Sequence, residues 1–202
     1  MELMVDSHRN AFFSAAEYAR HGKAIATARA GNVIGGGDWC EDRLVPDLVR
    51  AFAAGQPALI RNRHAIRPWQ HVFQPLGGYM VLAQYLFLEG SAFAEAWNFG
   101  PRDEDCQPVG AVAQRLASLW ASQVQLRDET QPDAPHEAHF LKLDSAKARS
   151  RLAWRGRTSL DEALAMTAAW YQAFYQGQNV HALSLAQIER YTRPELKEHH
   201  EV

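Results

Sequence analysis

Cysteine is almost missing from this 202-residue chain. Cys40 and Cys106 stand alone, at no spacing that suits a metal or a disulfide framework. That scarcity fits a reducing cytoplasm. No apolar run reaches membrane-spanning length, and the amino terminus lacks the layout of a secretory signal. A basic excess is absent too: 21 Lys and Arg face 23 Asp and Glu, for a net charge of −2. Nucleic acid and anionic membrane are therefore not expected as partners. No Gly-x-Ser-x-Gly is present to supply an acyl-transfer nucleophile. Asp38, Glu41 and Asp42 cluster without the spacing of a calcium loop and read as solvated charge. The nine histidines are scattered, and His199-His200 reads as a polar tail. There are no repeats and no low-complexity segments.

What is present is apolar and aromatic. The chain is 47% hydrophobic with six Trp, enough for a sizeable core in one or two domains. Met1 to His21 predicts a helix with Leu3, Met4, Val5, Phe12 and Phe13 mostly on one side. No capping residue precedes its first turn, so a longer chain upstream is expected. Ala24 to Ala30 predicts a buried strand that breaks into Gly31, Asn32 and the triplet Gly35-Gly36-Gly37. A strand running into such a loop is how α/β proteins bring bare backbone to a ligand, although a glycine run also suits a plain surface loop. A helix follows from Arg43-Leu44-Val45-Pro46 to Ala54, stopped by Gly55. Ala58 to Arg61 and Ile66 to Val72 read as strands, and Pro68 points to a sheet edge or bulge. Phe73 to Glu89 predicts a buried helix closed by Gly90, with Gly77-Gly78 admitting another backbone.

Beyond it, Ala96 to Gly100 reads as a short buried strand and Pro108 to Ala121 as an amphipathic helix. Val124 to Arg127 suits an edge strand, Asp128 to Pro135 a mobile loop, and His139 to Leu143 an extended segment. Asp144 is expected to cap a short helix, Ser145 to Leu152. Ser159-Leu160-Asp161-Glu162 is a capping box opening a long helix to Gln176, and Ser184-Leu185-Ala186-Gln187 repeats the device for a last helix stopped by Pro194.

Four stretches together carry a resemblance. Arg29-Ala30-Gly31-Asn32-Val33-Ile34-Gly35-Gly36-Gly37-Asp38-Trp39 is followed in order by Ile66-Arg67-Pro68-Trp69-Gln70-His71-Val72, by Ala96-Trp97-Asn98-Phe99-Gly100-Pro101, and by Pro135-His136-Glu137-Ala138. They resemble the nucleotide-sugar branch of the extended short-chain dehydrogenase/reductases, most of all CDP-glucose 4,6-dehydratases. The resemblance implies an α/β fold made of an incomplete Rossmann sheet and a small substrate-binding region. Residues 1–39 would be the remnant of the NAD-binding domain and residues 40–180 the sugar-nucleotide region, with a late Rossmann strand near 96–100. Residues 181–202 would be the carboxyl-terminal helix and tail. It also implies NAD as cofactor, a CDP-sugar as substrate and a homodimer when complete. The family's Gly-x-x-Gly-x-x-Gly loop and Tyr-x-x-x-Lys pair occur nowhere here. This chain would then be a carboxyl-terminal portion, inactive alone and without a catalytic group.

The resemblance also nominates residues one by one. Ala30 and Gly31 match positions facing the nicotinamide end of NAD, and Asn32 the residue that bonds the diphosphate, where a plain turn role is the alternative. Arg43 and Leu44 match a pair meeting diphosphate and nucleotide, while Arg61 and Asn98 match positions near the nucleotide; Asn98 also suits a capping role. Arg67 matches a phosphate-gripping Arg, and an arginine's fixed fork suits that task. It should leave the sheet toward the diphosphate with few core contacts. Arg63 reads as surface. Trp69-Gln70-His71 matches the stretch most particular to the CDP-sugar branch, although Trp69 also suits the core and His71 reads as an ordinary buried histidine. His136 and Glu137 approach the sugar nucleotide or stay in solvent. In the intact family enzyme, NAD takes hydride from C4, water leaves across C5 and C6, and hydride returns to C6. A non-catalytic binding or assembly subunit, or a related epimerase or dehydratase, are the rival readings.

Overall fold

The computed structural model describes residues 2–120, 124–129 and 138–193. Most of the expected mobile loop, His136, Glu137, Pro194 and His199-His200 lie outside the described residues. Among the described residues the fold is mixed α/β, with three small sheets and helices packed around them.

The first helix is shorter than its periodicity suggested. α1 covers Glu2–Phe12, a 3-10 turn covers Ala15–Glu17, and α2 covers Tyr18–His21. The break is local chemistry: the Ser14 side chain accepts from the Ala16 N–H and starts the turn afresh. β1 is Thr27–Ala30 and pairs in parallel with β5, Ala96–Phe99, in the register Thr27 opposite Ala96. Residues 24–26 are not strand, because their partner begins only at Ala96.

At Gly31 the chain leaves one sheet and enters the next. β2, Asn32–Ile34, pairs in parallel with β4, Ile66–His71, with Asn32 opposite Trp69. A Cβ at Gly31 would lie 2.6 Å from Pro68 Cγ, so only glycine fits the crossing. β4 also pairs antiparallel with β6, Cys106–Pro108, a strand the sequence did not announce. Pro68 is thus in the middle strand of three and not at an edge. It is tolerated because β6 covers Ile66 to Pro68 and β2 covers Trp69 to His71, so Pro68 is never paired on both sides. β3, Ala58–Ile60, and β7, Leu126–Asp128, form a third, two-stranded parallel sheet.

α3 is Leu44–Ala53, and Gly55 past its end has φ +63. Its face of Val45, Leu48, Val49 and Phe52 joins Trp69, Leu116, Leu164 and Tyr171 in the larger core, which also holds α5, Val109–Leu119, and α7, Leu160–Tyr175. α4, Phe73–Glu89, ends at Gly90 as expected, but it is not buried all round. Leu82 joins Trp97, Phe99, Leu152 and Trp154 in a second core, while Leu76, Met80, Phe87 and Leu88 face outward. Gly78 makes room for the Phe99 ring and not for backbone. α6 is Ala146–Arg151, and Asp144 Oδ1 accepts from the Ala146 N–H at 2.8 Å.

The Ser159 capping box is complete in both directions. The second box is not a cap at all. α8 spans Val180–Thr192 with Asn179 as its N-cap, and Ser184 lies inside the helix.

Candidate functional site

A cavity of about 620 Å³ opens where the residues from Gly31 to Gly35, the start of α3, the end of β3 and β4 meet. That volume suits a ligand of nucleotide size. Six nominated residues besides Gly31 line it: Asn32, Arg43, Leu44, Arg61, Arg67 and Trp69.

Each is placed by its element. Asn32 opens β2 and lies opposite Trp69 in register. The Trp69 indole donates to the Gln107 carbonyl at 2.9 Å, which pins the ring in the core while the residue lines the cavity. Arg43 is the residue before α3 and is exposed, with extended backbone at φ −112. Leu44 begins the helix and packs against the larger core. Arg61 follows β3 and pairs with Asp42 at 2.6 Å and with Glu129 at 3.7 Å.

Arg67 differs from expectation. It is 6% exposed, and its guanidinium donates to the carbonyls of Ile66 at 3.0 Å and Ala138 at 2.7 Å. Its stem is therefore within the fold, and the residue ties β4 to the segment after the nominated His-Glu pair while lining the cavity. A buried guanidinium needs such carbonyl partners, since desolvation without them is costly.

Two nominated residues lie elsewhere. Ala30 is not among the cavity residues, and neither is Asn98. Asn98 Oδ1 accepts from Arg29 Nε at 2.9 Å and its amide donates to the Asp144 carbonyl at 3.1 Å, so it joins β1, β5 and the start of α6. It does not act as a helix cap through its side chain. Arg63 pairs with Asp128 at the surface, as its reading required.

His71 is buried, and burial pushes its pKa down to about 4. Its Nδ1 accepts from the Phe73 N–H at 3.3 Å, while Nε2 and the neighbouring Gln70 Oε1 have no partner among the described residues. The ring is neutral near pH 7 and packs against Phe73 at 4.4 Å. This is a core histidine.

Asp42 was missed as a site residue. Its charge reads as solvated in the sequence, yet it lines the cavity and holds Arg61. Its left-handed φ of +61 turns the chain between Trp39 and α3, a conformation Asp tolerates better than most residues. Val109 and Asn62, which also line the cavity, carried no sequence signal. Among the described residues no group of His, Cys, Asp and Glu could hold a metal ion, and no helix is long and apolar enough to cross a membrane.

No protein-family model matches the chain. Among solved structures, UDP-glucuronic acid 4-epimerase from Bacillus cereus, with UDP-glucuronic acid and NAD, matches at a TM-score of 0.66 and 15% identity over 79% of this chain and 49% of that one. The dTDP-glucose 4,6-dehydratase from Bacillus anthracis, in complex with NAD, matches at 0.62 and 15% over 83% and 50%. The chain thus shares the fold of these epimerases and dehydratases, over about half of each. By sequence it is related to CDP-glucose 4,6-dehydratase: it is 46% identical over 190 residues to the enzyme of that name from Salmonella typhimurium strain LT2. The match takes in 94% of this chain and 53% of that relative, so the chain spans about half the relative's length.

Proposed function

We propose that this chain supplies the nucleotide-sugar-binding half of an NAD-dependent CDP-glucose 4,6-dehydratase, which converts CDP-glucose to CDP-4-keto-6-deoxyglucose and water. One observation carries the reading. Asn32, Arg43, Leu44, Arg61, Arg67 and Trp69, nominated separately along the chain, line one cavity. Arginine forks beside an asparagine and an indole suit a diphosphate joined to a base and a sugar.

The residues fit NAD only in part. Gly31 and Asn32 reach the cavity and Ala30 does not, and the space beside Gly31 is filled by Pro68. No glycine-rich pyrophosphate cradle and no Tyr-x-x-x-Lys are present, so no catalytic role is assigned to any residue of this chain. A complete enzyme of this kind is read as a cytoplasmic homodimer.

Calorimetry of the purified chain with CDP, CDP-glucose and UDP tests the reading. CDP and CDP-glucose should bind, and UDP more weakly; no heat with any of them at millimolar concentration would count against it. Preference for UDP would favour a related epimerase or dehydratase. Incubation with CDP-glucose and NAD should give no 4-keto product, and turnover above blank would overturn the half-enzyme reading. The outward apolar side chains of α1 and α4 favour a second version, in which the chain is a binding or assembly subunit beside a separately encoded partner.

A further inference from the structure

The glycine triplet does not float. Gly36 lies flat on the indole of Trp170 in α7, where a Cβ would come within 2.1 Å of Trp170 Cγ. Gly37, at φ +82, faces the far edge of the same ring. One residue on, the Tyr171 hydroxyl donates to the Asp38 carbonyl at 2.6 Å. Trp39 then closes over the turn, 5.2 Å from Tyr171 and 4.9 Å from Phe174 between ring centroids. Trp170 is itself held, because its indole donates to Ser184 Oγ at 2.9 Å, and that hydroxyl donates to the Val180 carbonyl inside α8. Two residues of the gripped loop, Gly35 and Asp38, line the cavity.

We propose that Trp170 and Tyr171 are positioning residues: they fix the Gly35 to Trp39 loop and so set the wall that it gives the ligand cavity. The ligand half of this statement rests on the reading of the cavity as a CDP-sugar site. The physical case is that a triple-glycine loop has more freedom to lose than any other three residues, and unaided it would sample many shapes. A flat ring under Gly36, a hydrogen bond at Asp38 and an aromatic cover at Trp39 remove that freedom before any ligand arrives. Preorganisation of this kind raises affinity by sparing the ligand the ordering cost. Ser184 extends the device to α8, which gives a mid-helix serine a task that a helix cap would not explain.

Hydrogen exchange and CDP calorimetry on the full chain test the proposal. The variants are Tyr171→Phe, which removes only the hydroxyl, and Ser184→Ala, which keeps the Trp170 ring and removes its anchor. Losing one such bond should speed exchange at residues 35–40, and weaken CDP binding, each by roughly 2- to 13-fold. Exchange in α5 should not change. Unaltered exchange at 35–40 in both variants overturns the proposal, as does faster exchange throughout the chain, which would make the residues merely structural. Faster exchange confined to the loop with unchanged CDP affinity overturns the ligand role. If the unaltered chain binds no CDP, the site reading fails, and exchange alone still decides whether α7 holds the loop.

Discussion

Arg61 and Asp42 line the same cavity and are paired with each other at 2.6 Å. An arginine placed to meet a diphosphate is thus already engaged by a carboxylate, and an entering ligand has to compete with Asp42. Both side chains are about half or more exposed, so the pair contributes little to stability, about 0–1 kcal/mol. Asp42→Asn should tighten CDP binding, by up to about fivefold, since it leaves Arg61 free of that carboxylate. Asn also tolerates the left-handed backbone at this position. Arg61→Ala should weaken binding by roughly 10- to 150-fold, the range of a charge-assisted hydrogen bond. Calorimetry reads both, and thermal unfolding should move little for either. Asp42→Asn binding more weakly than the native chain would show that Asp42 orients Arg61 and does not compete for it.

Arg67 should behave differently. The resemblance implies a phosphate-facing arginine with few core contacts. Its guanidinium instead satisfies two backbone carbonyls inside the structure. Removing a charged donor from buried acceptors costs about 1.5–3 kcal/mol, which for a chain of this size lowers the melting temperature by roughly 3–12 °C. Arg67→Ala should therefore unfold early by calorimetric scan as well as bind CDP poorly. Normal stability with lost binding would restore the simpler phosphate role.

His71 gives the fold a pH dependence of known sign. Its folded pKa, about 4, lies below the ordinary value of 6.5 because burial disfavours the charged ring. The folded state therefore binds fewer protons than the unfolded chain between these values. The contribution is fully present above pH 6.5 and is lost as pH falls toward 4, at most about 3 kcal/mol. Denaturant titrations of the native chain and His71→Gln at pH 7 and pH 4.5 check it. The native chain should lose more stability than the variant over that interval, and parallel losses would contradict it.

Local rules read the sequence well where one signal acts alone. Ser159 with Glu162 forms the expected capping box, Gly90 ends α4, and Gly55 ends α3. The similar pattern at Ser184 to Gln187, with Gln in place of Glu, fails because Asn179 caps the helix earlier and Trp170 takes the Ser184 hydroxyl. That partner is 14 residues away, beyond the reach of a four-residue motif. Pro68 fails as an edge marker for a related reason, since partner exchange along β4 depends on two strands far apart in the chain. The convergence of Asn32, Arg43, Arg61 and Arg67 was legible through resemblance. The burial of Arg67 and the Asp42 partner of Arg61 were not, because both depend on tertiary neighbours that leave no periodic trace.

The outward face of α4 yields the last prediction. Gln74, Pro75, Gly78 and Leu82 turn inward, while Leu76, Met80 and Phe87 share the opposite side at helical spacing. Phe87 is 84% exposed, and Leu3 on α1 is 88% exposed. Beside them β1 and β5 form a sheet of only two strands among the described residues, whereas parallel strands are ordinarily covered on both faces. Such surface favours association, and sedimentation should show species larger than a monomer that grow with concentration. Each large apolar side chain taken out of water contributes about 1.5–3 kcal/mol, so Met80→Glu with Phe87→Glu should weaken association about a hundredfold or more. Both side chains are largely exposed in the fold, so the double variant should keep its melting temperature. A native chain that sediments as a monomer at high concentration would sink the prediction. Association that persists unchanged in the double variant would move the sticky surface from α4 to α1.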